Sequence, residues 1–273
     1  MAVARDKFWM FGVRPHQDDI WLKPPSGEKV PYRFRSRITP AEGALILDTP
    51  NMLMINCEGE PVPYSEDAYG YAESFCRMEK VIWGGTGSGG FRIGNEEAFI
   101  CTLAEKYPNI MGEYLDDFSG ALKDCPDKAE RSVALLKTIR EGLDKAVRPM
   151  ELFVTWYWHE DPYPGMEEYI DVFTFWTWKS AEIPLLKERF ESIEAKYKHK
   201  RILLGIYMYD FSARHSVPLD LMEMQCEYAL SLLKEGRIDG IIFETNSVMG
   251  VGLPSEKWLR DWVDRVKFTE VPD

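Results

Sequence analysis

Apolar residues in this chain gather in eight short runs, and stretches with a different spacing separate them. The runs are FWMFGV (8–13), NMLMIN (51–56), KVIWGG (80–85), NIMGEYL (109–115), MELFVTWYW (150–158), YIDVFTFWTW (169–178), RILLGIYMY (201–209) and IDGIIFE (238–244). They are nearly continuous in apolar, β-branched and aromatic residues and do not alternate cleanly. That pattern marks strands covered on both faces, as in a parallel sheet.

Between the runs the spacing turns helical. Segment 65–79 opens with Ser65, a good N-cap, and places Glu66 and Asp67 in the first turn, where the helix dipole favours them. Segment 95–107 starts at Asn95 and sets Phe99, Ile100, Leu103 and Ala104 on one face. Segments 127–146 and 180–197 are amphipathic in the same way. Segment 218–236 begins with Pro218 and ends on Gly236, the usual asymmetry of helix ends. The last, 254–266, aligns Trp258, Leu259, Trp262, Val263 and Val266.

Eight strands with helices between them, at a mean repeat of roughly 33 residues, predict an α/β protein of the (β/α)₈ TIM barrel type, a single domain over residues 1–273. An open doubly wound sheet would carry a glycine-rich fingerprint after its first strand, and GVRPHQDD has none. Residues 14–50 form a long first βα connection containing Pro24, Pro25 and Pro31, expected to lie over one end with a short helix. The fifth crossover, His159 to Glu168, is near the minimum for a parallel connection, about 10–12 residues, so its helix has room for one or two turns.

Composition narrows the partners. The 273 residues are 45% hydrophobic, enough for a sizeable core, and no apolar run reaches the ~18 residues of a membrane span. The N-terminus lacks the h-region and small-residue cleavage site of a secretory leader. The expectation is a soluble cytoplasmic protein, or an extracellular or periplasmic one if a leader has been removed. A net charge of −12 opposes nucleic acid and anionic membranes as partners. Five singly scattered cysteines read as free thiols in a reducing compartment.

In a (β/α)₈ barrel the chemistry sits at the C-terminal ends of the strands. Those ends carry Arg14 and His16, then Asn56 and Glu58, then Trp83 followed by GGTGSGG. Strand four supplies Glu113, Asp116 and Asp117; strand five supplies Trp156, Trp158, His159 and Glu160. Strand six supplies Trp176, Trp178 and Lys179, strand seven Tyr207, Tyr209 and Asp210, and strand eight Glu244 and Asn246. Flat rings with polar edges offer faces to sugar C–H groups, while acids and amides take the hydroxyls. An acidic, ring-lined bowl suits a neutral polyhydroxylated ligand.

Each residue also has a plainer reading. A strand-end Trp can simply close the core. The Asp116–Asp117 pair can cap a helix or meet a lysine, and Asp210 can cap the 211–217 loop. Neighbouring side chains on a strand point to opposite faces, so one of the two acids is expected to face the bowl and the other to be structural. Glu244 is harder to dismiss, because a buried lone carboxylate is costly. His159 reads as a ligand, a base or a satisfied rim histidine. The run GGTGSGGFRIG (84–94) lacks the lysine-serine ending of a phosphate loop and reads as a flexible lid.

Three strings acquire meaning together. PNIMGEYLDDF (108–118), DVFTFWTW (171–178) and LLGIYMYD (203–210) resemble an uncharacterised bacterial family of glycosidase-like (β/α)₈-barrel proteins, and the resemblance covers about residues 50–266. It implies the barrel and, more weakly, carbohydrate chemistry. Many retaining barrel glycosidases place catalytic glutamates on strands four and seven, where this chain has aspartates.

The expectation is a carbohydrate-active enzyme of glycoside hydrolase type that needs no cofactor. Asp117 or Asp116 is the candidate general acid, its pKa raised by surrounding rings and acids. Asp210 or Glu244 is the candidate nucleophile or water-activating base; a separation of about 5 Å would give retention and about 6.5–9.5 Å inversion. Trp83, Trp156, Trp158, Trp176, Trp178, Tyr207 and Tyr209 would hold the sugar, with Arg14, His16, Asn56, Glu58, Glu113, His159 and Lys179 as polar contacts. The alternatives are a metal-dependent sugar isomerase, epimerase or lyase drawing Mn²⁺ or Mg²⁺ ligands from Glu58, Glu113, Asp116, His159, Asp210 and Glu244, and a non-catalytic glycan-binding barrel.

Overall fold

All eight apolar runs form strands in the computed structural model, which describes residues 2–23, 35–122, 125–159, 162–197 and 199–273. Pro24, Pro25, Pro31 and Glu160 lie outside the described residues. The strands are β1 (Phe8–Gly12), β2 (Asn51–Met54), β3 (Lys80–Thr86), β4 (Ile110–Leu115), β5 (Glu151–Tyr157), β6 (Val172–Trp176), β7 (Arg201–Tyr207) and β8 (Gly240–Glu244). They close in chain order, with β8 beside β1, into an eight-stranded barrel. The chain is therefore a (β/α)₈ barrel.

Among the described residues seven α-helices accompany the strands: α1 (Pro40–Ile46), α2 (Glu66–Ser74), α3 (Glu96–Lys106), α4 (Lys128–Leu143), α5 (Leu186–Tyr197), α6 (Leu219–Lys234) and α7 (Pro254–Val266). The short helix expected in the first connection is α1. Thr39 caps it by accepting from the Glu42 N–H at 3.3 Å, while Glu42 Oε2 accepts from the Thr39 N–H at 2.8 Å. This reciprocal box satisfies the Thr39 and Glu42 N–H groups, and proline at the first helical position has no N–H to leave unpaired. Among the described residues the fifth crossover holds one 3₁₀ turn, Glu167–Tyr169. The segment before α5 also runs as a 3₁₀ helix, Ser180–Leu185, because Pro184 cannot donate to an α-helical ladder.

The contacts divide the chain into two compact units, Met1–Asn51 with Phe175–Asp273, and Met52–Thr174. In the first, β8 pairs in parallel with β1 and β7, and Glu244 stands in register with Phe11 on one side and Tyr207 on the other. Phe8 and Phe243 meet Trp262 of α7, at centroid distances of 6.2 and 6.3 Å. Strand alternation then turns Phe11 and Glu244 away from α7, to the barrel interior. Trp176 fills that interior, edge-on to both Phe11 and Tyr207 at 5.4 Å. Its ring lies where a side chain at Gly205 would project: a Cβ there would come within 2.0 Å of the indole. Only glycine permits this approach.

In the second unit β3, β4 and β5 pair in parallel, with register shifts in β3 between Val81 and Ile82 and between Gly84 and Thr86. Trp83 faces the helices, packing on Phe75 at 6.4 Å and Phe99 at 5.9 Å. The opposite face of the same sheet carries Tyr114, whose hydroxyl meets Thr155 Oγ1 at 2.6 Å and Thr174 Oγ1 at 3.1 Å.

Candidate active site

Within residues 52–174 the acid pair stands where β4 ends. Strand alternation carries the Tyr114 side on to Asp116, and Thr155 Oγ1 donates to Asp116 Oδ1 at 3.1 Å. Asp117 turns the chain with φ = 44°, in the left-handed region. Its carboxylate is held from two sides: the Tyr157 hydroxyl donates to Oδ1 at 2.8 Å, and the Gly89 N–H donates to Oδ2 at 3.0 Å. Thr86 Oγ1 donates to the Asp116 carbonyl at 2.6 Å, tying the acid's backbone to the end of β3.

The two acids differ electrostatically. Burial, and then the neighbouring charge of Asp117, push the Asp116 carboxyl well above the usual carboxylate range; the bond from Thr155 opposes this without cancelling it. Burial and the same two acids raise the Tyr157 hydroxyl well above its usual value, so it remains a donor. Asp116 keeps some accessible surface. The result is a half-buried acid driven towards its protonated form beside an aspartate braced by two donors.

Tyr157 also stacks on His159, at 5.8 Å and 16°, and Trp158 stands edge-on to the same imidazole. Trp158 is 43% exposed, an accessible ring face on this rim. Asn56 is 1% exposed, and its Oδ1 has no hydrogen-bond partner among the described residues. Glu58 lies exposed on a turn with φ = 54°.

Three residues expected at this rim sit elsewhere, and strand parity is the reason. Trp83 belongs to the layer between sheet and helices. Trp156 points opposite to Thr155 and Tyr157 and packs edge-on against Phe173 at 5.7 Å. Glu113 points opposite to Tyr114 and is fully buried. Its carboxylate fills the space that a side chain at Gly85 would need, where a Cβ would fall 1.6 Å from Oε1. There Arg92 gathers three acids, at 3.4 Å from Glu113, 2.5 Å from Glu97 and 3.6 Å from Glu96. Burial first, then the charge of Glu97, drive Glu113 well above the usual range. Glu113 thus anchors the region of α3 and is not a rim contact. The glycine run is likewise a brace and not a lid: its first residues complete β3, and Thr86 and Gly89 hold the acid pair.

In the other unit Glu244 ends β8 at 8% exposure, flanked in register by Phe11 and Tyr207, with Trp176 against both rings. An acid among aromatic faces at a strand end is what the sequence led us to expect there. Trp178 is 37% exposed, and Lys179 Nζ lies 4.6 Å over its ring while pairing with Glu182 at 3.7 Å. Arg14 donates to Gln17 Oε1 at 2.6 Å, and His16 Nδ1 meets Asp19 Oδ2 at 3.0 Å.

Asp210 is placed differently from a nucleophile. Its Oδ2 accepts from the Ser180 N–H at 2.8 Å and from Ser180 Oγ at 2.5 Å, and its Oδ1 accepts from the Ala213 N–H at 2.8 Å. Burial favours the acid form, but these donors outweigh it and hold the carboxyl below its usual value. Asp210 fastens two loops. Tyr209 is fully buried and ties residues 21–23, donating to the Trp21 carbonyl at 2.9 Å and accepting from the Lys23 N–H at 3.3 Å.

Sequence reasoning missed Thr155 and Tyr157 as partners of the acids. The signal was their spacing of two, which puts both on the face opposite Trp156. It noted Asn246 at a strand end without a task; its amide accepts from the Val13 N–H at 2.8 Å and donates to the Val13 and Ile38 carbonyls at 2.9 and 2.7 Å. Among the described residues no three His, Cys, Asp or Glu side chains stand together as a metal-holding group.

No family model matches the chain, and no curated protein matches it at the level of sequence. Solved structures of the same architecture do. The GH99 endo-α-mannosidase from Bacteroides thetaiotaomicron superposes with a TM-score of 0.58 at 10% identity, covering 96% of this chain and 97% of that one. A putative α-L-fucosidase from Bacteroides thetaiotaomicron VPI-5482 gives 0.56 at 12% identity, covering 99% and 96%. The spore cortex-lytic enzyme SleL of Bacillus megaterium QM B1551 gives 0.57 at 10% identity, covering 96% and 74%. At such identities the likeness is one of fold: an eight-stranded barrel shared with glycoside hydrolases.

Proposed function

We propose that the chain is a glycoside hydrolase acting on an oligosaccharide, with Asp116 as the general acid. The observation that carries this reading is the environment of Asp116 at the C-terminal end of β4: burial and the adjacent Asp117 push its carboxyl well above the usual range, towards the protonated form, and the residue keeps some accessible surface. Such an acid can protonate a departing glycosidic oxygen. Asp117, locked by Tyr157 and Gly89, is a positioning residue that adds to the upward push on Asp116. The glycosidase-type architecture of the structural neighbours supports the same reaction class by analogy.

Asp210 drops out of the catalytic roles because its oxygens are already engaged.

The test is release of reducing ends from a panel of oligosaccharides. Asp116→Asn is expected to lower kcat by about 10²–10⁴-fold. Aryl glycosides with acidic leaving groups should lose far less, because their departure needs no proton. Wild-type-like turnover by Asp116→Asn on ordinary glycosides would remove the assignment. Sugar binding by the wild type without turnover on any of the panel would make the chain a glycan-binding barrel instead.

A further inference from the structure

A row of oxygens runs from the acid pair down between the strands of residues 52–174. Asp116 Oδ1 stands 3.1 Å from Thr155 Oγ1, Thr155 Oγ1 stands 2.6 Å from the Tyr114 hydroxyl, and that hydroxyl stands 3.1 Å from Thr174 Oγ1. The row ends at the Val154 carbonyl, 3.4 Å from Thr174 Oγ1. Strand alternation builds it: Tyr114 of β4 lies two residues before Asp116, and Thr155 of β5 and Thr174 of β6 turn their hydroxyls to the same side. All three hydroxyl side chains are buried.

Each hydroxyl carries one proton, and this sets the direction of the bonds. With Asp116 ionised, Thr155 directs its proton at the carboxylate. In the contact between Thr155 and Tyr114 the donor is then Tyr114, and in the next contact it is Thr174. The O–H dipoles point in line at the charge. With Asp116 protonated and directing its proton at Thr155, the row reverses: Thr155 donates to Tyr114, Tyr114 to Thr174, and Thr174 to the Val154 carbonyl. No proton changes owner; the hydroxyls rotate. The two directions are unequal. The first ends on a full charge and gains from cooperative alignment, whereas the second ends on a neutral carbonyl across the longest contact of the row. The row therefore favours the ionised form of Asp116, against the burial and the Asp117 charge that favour the acid. The titratable groups around Asp116 are Asp117 beside it, Tyr114 on β4 and Tyr157 on β5. Burial first, then the charge of the acids, raises both tyrosines well above their usual value, so both keep their hydroxyl protons.

We infer that the hydroxyl row Thr155–Tyr114–Thr174 tunes Asp116: it holds down the proton affinity of the carboxyl, so that an acid which burial would lock in its protonated form can release the proton. Tyr114 and Thr174 act through Thr155 and are positioning residues. A general acid works best with its pKa near the working pH, and burial alone overshoots that point. That the proton goes to a glycosidic oxygen rests on the function proposed above; the tuning rests on the row alone.

The experiment is a ¹³C NMR titration of the Asp116 carboxyl in the full-length wild type and in Thr155→Val, Thr155→Ser, Tyr114→Phe and Thr174→Val. Thr155→Val deletes the bond to the charge and should raise the Asp116 titration by about 1–2 pH units. Tyr114→Phe deletes only the next dipole and should raise it by about 10–30% of that amount, and Thr174→Val by less again. Thr155→Ser keeps the hydroxyl and should titrate with the wild type. In the wild type the Tyr114 Cζ resonance should step at the Asp116 titration point, because its hydroxyl changes partner there, and Thr155→Val should cut that step by half or more. A Tyr114→Phe titration that stays in place or moves down overturns the inference, and this variant decides alone if Thr155→Val does not fold. A Thr155→Ser titration raised as far as that of Thr155→Val, or an undiminished Tyr114 step in Thr155→Val, overturns it equally. On any glycan that is hydrolysed, the basic limb of kcat/KM should move up with the titration in Tyr114→Phe. Glycan hydrolysis with no titration shift would end this inference and leave the hydrolase reading standing. The graded shifts without hydrolysis of any glycan would do the reverse.

Discussion

Replacing Gly205 with alanine should unseat Trp176. A Cβ at this position would lie 2.0, 2.3 and 2.4 Å from three atoms of the indole. Ordinary contact begins near 3.4 Å, so the ring must retreat by about 1.4 Å. It has little room, because Trp176 is 2% exposed and both Phe11 and Tyr207 pack edge-on against it at 5.4 Å. Overpacking of this kind costs about 1–3 kcal/mol, and an overlap with a rigid ring belongs near the top of that range. Loss of the glycine's freedom in the unfolded chain returns about 0.4–1 kcal/mol, leaving a net loss of about 2 kcal/mol. For a chain of this size that lowers Tm by roughly 4–8 °C in differential scanning calorimetry. Trp176→Leu should cost stability by itself, yet combined with Gly205→Ala it should recover at least about 1 kcal/mol relative to the sum of the single changes, since the smaller side chain makes room for the methyl. A Gly205→Ala protein as stable as the wild type, or strict additivity in the double variant, would refute the close-approach argument.

Three further outcomes are expected. Asp117→Asn removes the second of the two causes that raise Asp116, so the Asp116 carboxyl should titrate lower in a ¹³C NMR titration, by at most about three pH units, the value for charges in direct contact; an unmoved titration would show that the pair is not coupled. Glu113 has a folded pKa raised above its ordinary 4.5, so its contribution to stability is full below that value and is lost as pH rises towards the folded pKa. Glu113→Gln should flatten this decline, which has a slope of at most about 1.4 kcal/mol per pH unit, and parallel urea-denaturation profiles for the two proteins would contradict the assignment. Asp210→Asn should cost about 2–4 kcal/mol at neutral pH by turning accepted bonds into donor clashes. Because the Asp210 pKa is depressed, the gap from wild type should close as pH falls through the folded value, below the usual 3.8; a gap that persists in acid would count against the loop-fastening role.

The barrel was legible because strands buried on both faces need nothing more than a run of apolar letters, and KVIWGG or RILLGIY can hardly be anything else. The site was legible only in outline. At a strand end the decisive variable is parity, and parity depends on where the strand starts and whether it bulges. Trp83 and Trp176 look alike in sequence, yet Trp83 packs under α3 while Trp176 fills the interior. The acids show a second limit. Asp116 and Asp210 each follow a strand with a single Tyr near its end, and what fastens Asp210 is Ser180, thirty residues upstream. No local pattern announces that partner. The pairing of Tyr157 with Asp117 spans forty residues and is equally silent.

The threonine and glycine that clasp the acid pair bear on how this scaffold could be re-engineered. Barrel enzymes diversify by exchanging the segments that follow each strand while leaving neighbouring segments alone. Here the third and fourth segments cannot be traded separately. Thr86 grips one aspartate's backbone and Gly89 grips the other's side chain, while Gly120 lies so close to Gly89 that a methyl on it would sit 2.8 Å from the Gly89 carbonyl oxygen. Any graft that lengthens or replaces residues 86–91 would displace Asp116 even with both aspartates intact, so the two segments must be transplanted as one cassette.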